Sequence, residues 1–342
     1  MLTTPNRRSM LSPLNTLAPL PPGKPLLQVV VDTEEEFDWS VPFDRGSRTV
    51  KAIDALHLAH DIFRDYGVVP TYVVDHPVVT TPSSIAVLRH YHEAGECLVG
   101  SHLHPWVNPP DVEAVTAFNS YPGNLDAGLE RSKLELLTTA IAAAFSERPV
   151  IYRAGRYGVG DATAVILADL GYLIDLSVVP HSSYKADGGP DFRGCLDRPY
   201  WFGPDEALLE IPLSCGFSGR AAGLGPSLYG VVNSPVGRTL RLGGMLSRSR
   251  LLTRAMLTPE GVDTTGQKDL LHSLRDAGHR IFTLNYHSPS LALGCTPYVQ
   301  TTQDLQALLD NIRRLLDYFL GEFGGETTTP IAVRALAMTA RI

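Results

Sequence analysis

The chain has 342 residues, 44% of them hydrophobic, which suits one large domain or two ordinary ones built on a real core. A net charge of −7 and an isoelectric point near 5.9 argue against a general nucleic-acid binder. Cys97, Cys195, Cys215 and Cys295 are scattered without a CxxC pair, as in a reduced cytoplasmic protein, and no apolar run approaches the roughly 18 residues of a membrane span.

Residues 1–25 are broken by Pro13, Pro19, Pro21 and Pro22 behind Arg7 and Arg8, so a flexible lead is expected rather than a signal peptide. Leu26–Asp32 is nearly all apolar, the pattern of a strand buried on both faces. Val50–Tyr66 has helical spacing with Gly67 as its stop, Val68–Val74 is a second strand, and Pro82–Ala94 is a helix before the strand Glu96–Ser101. Pro105–Gly128 reads as a long loop, of the length that usually carries function. Helix Leu129–Phe145, strand Pro149–Arg153, helix Asp161–Leu170 and strand Tyr172–Val178 follow. Pro180–Gly203 loses periodicity and reads as surface loop, and Ala207–Leu213 as a strand. Phe217–Pro259 is Gly-rich and then basic, with Arg238, Arg241, Arg248, Arg250 and Arg254 on an expected solvated helical face. Gly266–Gly278 is a helix, Arg280–Tyr286 a strand, and Asp304–Phe323 a strongly amphipathic helix, leaving 326–342 as a tail. Seven strands alternating with helices predict an α/β protein with a parallel sheet, and seven units fit an incomplete (β/α)7 barrel over residues 26–325.

Four of these strands end in residues that bind metals or move protons. Asp32, Glu34 and Glu36 are spaced by two and share a face while the strand persists, with Glu35 opposite. Acidic triplets are commonly solvated loops, but this one terminates an apolar strand, where a bound cation would relieve desolvation and self-repulsion. His102 and His104 are also two apart, so both imidazoles can converge from an extended segment. With one carboxylate they make a known catalytic metal arrangement that leaves a position open. Arg153 or Arg156, after the fourth strand, could hold a carboxylate ionised or form an ordinary ion pair on the rim. His287, directly after an apolar strand, has the position expected of a general acid, and His76 is the best placed of the remaining histidines.

These motifs resemble those of the polysaccharide deacetylases of the NodB-homology class, whose fold is an incomplete (β/α)7 barrel. The resemblance runs from about Leu26 to Phe323 and rests on Asp32-Thr33-Glu34, on Gly100 to Pro105, on Arg153 to Gly158, on Asp175-Leu176-Ser177 and on His287. It implies Asp32 as catalytic base and Glu34, His102 and His104 as metal ligands. It further implies that Arg153 orients Asp32, that the Tyr157 backbone helps bind the oxyanion, that His287 is the acid and that Asp175 tunes it. The family's usual adjacent aspartates are here an aspartate and a glutamate two apart, and its histidines, usually four apart, are two apart with Trp106 at the fourth place. The implied activity is metal-dependent removal of an N-acetyl group, or cleavage of a related non-peptide C–N bond. The metal would be zinc, with cobalt, nickel or manganese as alternatives, and the substrate an N-acetylated sugar or small amide. Two rivals are a catalytically inactive barrel that binds carbohydrate or a partner protein, and a metal-free glycosidase using two carboxylates.

Overall fold

A computed structural model describes residues 7–12, 14–232, 234, 239, 242–249 and 251–341. Seven parallel strands form the centre: β1 Leu26–Thr33, β2 Thr71–Val74, β3 Leu98–Leu103, β4 Ile151–Ala154, β5 Ile174–Asp175, β6 Leu208–Glu210 and β7 Ile281–His287. They lie in the order β6-β5-β4-β3-β2-β1-β7. The last strand thus pairs with the first, over seven registered positions from Ile281↔Leu26 to His287↔Asp32. The helices between them are α1 His57–Asp65, α2 Pro82–Glu93, α3 Ala127–Phe145, α4 Thr163–Asp169, α5 Thr264–Asp276 and α6 Thr302–Leu320. The expected seven strands and their alternation with helices are therefore present.

Strand pairing does not close the circle. No ladder joins β6 to β7 among the described residues. Pro212, lacking an N–H, ends β6 early. The seam is bridged instead by single bonds: Thr283 N donates to Ser214 Oγ at 2.8 Å, while Leu257 N donates to Ser214 O at 2.8 Å and Asn285 N to Leu257 O at 3.2 Å. Between Ser214 and Leu257 the chain leaves as an antiparallel hairpin, Cys215–Ser218 with Thr253–Met256.

Inward residues of successive strands, among them Val30, Val73, Ile151, Ile174, Leu209 and Ile281, fill the barrel interior. Val333 and Ala337 belong to the same cluster, both fully buried. They lie on the helix Pro330–Thr339, which Thr329 caps by accepting from Ala332 N. Residues 326–342, read as a tail, thus hold a strand, Glu326–Thr327 beside β1, and a helix packed under the barrel. At the other end of the chain, Arg7–Arg8 and Thr16–Leu17 pair with an antiparallel strand, Tyr200–Pro204, beside β6. That strand lies within a stretch expected to be surface loop. Its Tyr200-Trp201-Phe202 run is buried on both faces, so it carries no period of two.

Other differences have local causes. The second strand starts at Thr71 rather than Val68 because Pro70 precedes it. A short helix missed by periodicity, His76–Thr80, is nucleated by Asp75, whose side chain accepts from Val78 N at 2.9 Å. Of the basic stretch, Arg238, Arg241 and Arg250 lie outside the described residues. Arg254 is not on a solvated helical face but on the hairpin, donating to Ser182 and lying 5.4 Å over the Tyr229 ring.

Candidate active site

Parallel strands deliver their carboxyl ends to one rim, and the register aligns the chemistry there. His287 sits opposite Asp32, and His102 sits opposite Arg153. All four side chains, with Glu34 and His104, meet at one end of the barrel, at or beside a cavity of about 480 Å³.

Arg153 and Asp32 form a buried ion pair, with Nη1 2.5 Å from Oδ1 and the side chains 0% and 3% exposed. Arg153 also donates from Nε to Leu176 O at 3.0 Å, which fixes the guanidinium's direction. Burial alone would raise the Asp32 carboxyl, but Arg153, helped by His102 and His287, outweighs it and holds the pKa below its ordinary value. Asp32 is therefore an anion at neutral pH.

The two imidazoles face Glu34. His102 Nδ1 lies 3.1 Å from Arg153 O, an acceptor, so this nitrogen carries the proton. His104 Nδ1 lies 2.8 Å from Glu35 Oε2 and donates to it. Both Nε2 atoms then point at Glu34 Oε2, from 3.3 Å for His102 and 3.4 Å for His104. Glu34 Oε1 is buried with no hydrogen-bond partner. Two imidazole lone pairs and a carboxylate converging without intervening donors are an acceptor set that a cation satisfies, and Glu34, His102 and His104 fit a divalent metal. Burial, reinforced by the neighbouring His102, lowers the His104 pKa to about 4, so its lone pair is free at neutral pH. Against the pull of burial, Glu34 raises the pKa of His102.

Gly155 makes this packing possible. A Cβ there would stand 2.4 Å from Leu103 O and 2.5 Å from His104 Cδ2, so any side chain would displace the ligand. The next two residues, Arg156 and Tyr157, hold φ of 51° and 59°, a conformation costing non-glycine residues about 1–3 kcal/mol each. Arg156 is pinned in compensation: it donates to Ser120 Oγ at 2.6 Å and lies 4.2 Å over the Tyr121 ring.

His287 stands at the opposite side of Asp32, with Nε2 3.8 Å from Oδ2. Its Nδ1 lies 2.8 Å from Glu260 Oε2, and its backbone N–H donates to Glu260 Oε1 at 3.1 Å. Burial would lower this imidazole, but Glu260 dominates and raises its pKa to about 10. The carboxylate facing His287 is thus Glu260, in the least readable stretch of sequence. Asp175 lies elsewhere: Ser177 N donates to its Oδ1 at 2.6 Å, and burial, partly offset by hydrogen bonds from Glu210 and Ser177, raises its pKa to about 6.

Glu35 and Glu36 depart from the alternation read in the sequence. The strand ends at Thr33, and beyond it Glu35 turns inward, 0% exposed, accepting from His104 and, at 2.7 Å, from Trp106 Nε1. Its own N–H donates to Asp75 Oδ2 at 2.8 Å. Burial lifts Glu35 to about 8 and Asp75 well above its usual range. Glu36 leaves the site and accepts from Ala52 N at 2.5 Å. His76 is half-buried on the helix beside Asp75 and does not line the cavity. Sequence spacing could not reveal Glu260, Glu35 with Asp75, or Trp106 as a ring stacked 4.3 Å from His104.

No family model and no curated protein matches this chain. Solved structures do. PuuE allantoinase is similar with a TM-score of 0.54 at 15% identity, covering 97% of each chain. A Mycobacterium smegmatis structure provisionally named a polysaccharide deacetylase has a TM-score of 0.49 at 17% identity, covering 94% of this chain and 95% of its own. A family 4 carbohydrate esterase from Streptomyces lividans, in complex with acetate, has a TM-score of 0.41 at 10% identity, covering 89% and 91%. At such identities a likeness speaks for the fold alone, and in fold this chain is similar to the allantoinase.

Proposed function

We propose that the protein is a metal-dependent hydrolase of non-peptide C–N bonds, removing an N-acyl group from a substrate of the N-acetylated amino-sugar kind. The observation that carries this reading is the convergence of His102, His104 and Glu34 as unsatisfied acceptors beside a paired aspartate and a paired histidine. Two imidazoles and one carboxylate favour zinc. When bound, such a cation supplies Lewis-acid polarisation of the acyl carbonyl and acidifies water.

The chain's own groups do the rest. Asp32, held anionic by Arg153, takes the proton of the attacking water. His287, held protonated by Glu260, delivers a proton to the leaving amine. The backbone N–H of Tyr157, in its strained turn, serves as a donor to the developing oxyanion, a contribution of about 3 kcal/mol. Asp32→Asn tests the division of labour: turnover falls by about 10²–10⁴-fold while metal content, measured by elemental analysis, stays near wild type. His102→Ala and His104→Ala each lose the metal. Full metal content in both histidine variants contradicts the ligand set, and an unchanged rate in Asp32→Asn contradicts the base.

A further inference from the structure

The residues between β1 and the first helical turn at Lys51–Ala55 lie as a strap across the mouth of the cavity. The strap is tied at its base, where Glu36 N donates to Thr49 O at 2.8 Å. Its far end is tied by Arg45 to Asp111 at 3.0 Å and to Glu113 at 3.5 Å. Towards β7, Trp39 stands edge-on to His287 at 5.0 Å and to Tyr298 at 5.8 Å. Towards β4, Phe43 lies 5.0 Å beneath the Arg156 guanidinium. Phe37 joins the two, 5.5 Å from Trp39 and 5.9 Å from Phe43. Tyr157 and Tyr184, 5.9 Å apart, belong to the same wall.

A polymer cleaved or deacetylated along its length needs an open groove with two exits and polar partners for its hydroxyls. Across this mouth contacts run in series from Tyr298 through Trp39, Phe37 and Phe43 to Arg156 and Tyr121, so the strap side of the cavity is walled by rings where a polymer's hydroxyls would need polar partners. Several polar wall residues outside the acid, base and ligand set are already occupied. Asp38 accepts from Ser40 N at 2.8 Å, Arg156 is held by Ser120, and Thr258 Oγ1 accepts from Glu260 N at 3.2 Å. Asn285 remains. It shares a strand face with His287, two residues on, is 1% exposed, and its Oδ1 has no partner. Tyr121 OH is likewise buried and unpartnered. An unpaired amide at a cavity wall discriminates strongly in favour of a ligand that supplies its hydrogen bond.

We infer that the site takes one discrete, compact amide with a flat apolar body, not a segment of polysaccharide, and that Asn285 reads a donor on that molecule. The inference rests on the hydrolase reading above and replaces its amino-sugar substrate with a non-sugar amide. The acyl end lies against Asp32 and His102, the body lies between Trp39 and the tyrosine wall, and the leaving nitrogen faces His287.

The test uses acetanilide and the hexamer of N-acetylglucosamine as probes. Calorimetric titration of the metal-free full chain should show acetanilide binding at least tenfold more tightly than the hexamer. With metal restored, acetanilide should also be the better substrate by tenfold or more in kcat/KM. Trp39→Ala should raise KM for acetanilide about tenfold with a smaller change in kcat. Asn285→Leu should weaken acetanilide, whose amide N–H is the donor it offers, by tenfold, and leave N-methylacetanilide, which lacks that donor, within twofold. Internal deacetylation of the hexamer at an equal or higher rate overturns the inference and leaves the hydrolase reading standing. Absence of turnover for every amide overturns the hydrolase reading and this inference with it. Unchanged acetanilide binding in Asn285→Leu removes Asn285 from recognition.

Discussion

At the scale of residues, the pairing of His287 with Glu260 sets the working range of the proposed acid. Against the effect of burial, Glu260 lifts the imidazole to about 10 from an ordinary 6.5. The sign follows: the imidazolium and the stability it contributes are fully present below 6.5, persist through neutrality, and are lost as pH rises through about 10. The alkaline limb of the wild-type pH–rate profile is therefore expected well above neutrality, and Glu260→Gln should move it down by about one pH unit or more. A limb that stays in place in that variant means another group titrates. The strand-end residues Asp32, Glu34, His102, His104, Arg153 and His287 were legible because period-two spacing after apolar runs survives in the linear chain. Glu260 was not, since its only signal is a contact across 27 residues to His287. Glu35 was misplaced because alternation was extended past the end of β1 at Thr33.

At the scale of elements, the long loop after β3 is held by one side chain. Lys133 on α3, 0% exposed, donates Nζ to Pro105 O at 3.0 Å and Pro110 O at 2.8 Å as well as to Asn108 O. It also lies 3.1 Å from Glu113. Removing this cation leaves three carbonyls without their donor and Glu113 without its nearest partner, so Lys133→Met should cost about 3–5 kcal/mol. The loop starts at His104, so the same variant should hold metal less tightly. Chemical denaturation and a metal-binding titration check both, and an unchanged midpoint would deny the lysine its role. The loop's length was readable in the sequence; the lysine that folds it was not, because a lysine on an amphipathic helix reads as solvated. By contrast α6 matched its expected helix to within a few residues. Its apolar stripe is regular, and Thr301 and Asp304 close it with reciprocal capping bonds.

At the scale of the whole molecule, the barrel is stoppered from below. Val333 and Ala337 of the C-terminal helix join the cluster formed by Leu26, Ile151 and Ile281 at the strand starts. Ending the chain at Thr329 should lower stability by about 2–4 kcal/mol, as expected for re-exposing a buried valine and its neighbours. Thermal denaturation reads this directly, and an unchanged melting temperature would show that the helix covers nothing essential. Strand count and order were legible from the alternation of apolar runs with amphipathic ones. The stopper was not, because ten residues with few charges carry little periodic signal, and neither was the Tyr200–Pro204 strand, which is apolar on both faces.

The two ends of the described chain come to the same place. Arg7 pairs with Pro204, and Arg341 donates to Glu206 two residues further on. Across the molecule, the seam between β6 and β7 is interrupted by a hairpin whose strands, Cys215–Ser218 and Thr253–Met256, remain paired to each other. The chain can therefore be cut and rejoined without disturbing the order of its strands. A short linker between the present ends, with new ends opened between Ser218 and Thr253, gives a circular permutant in which β7 comes before β1 in sequence as it lies beside it in space. Such a permutant should fold and bring Glu34, His102 and His104 together as in the parent. His287 on β7 and Asp32 on β1 would then lie closer in the chain, with their ladder of seven paired positions spanned by a shorter connection through α6 and the C-terminal helix.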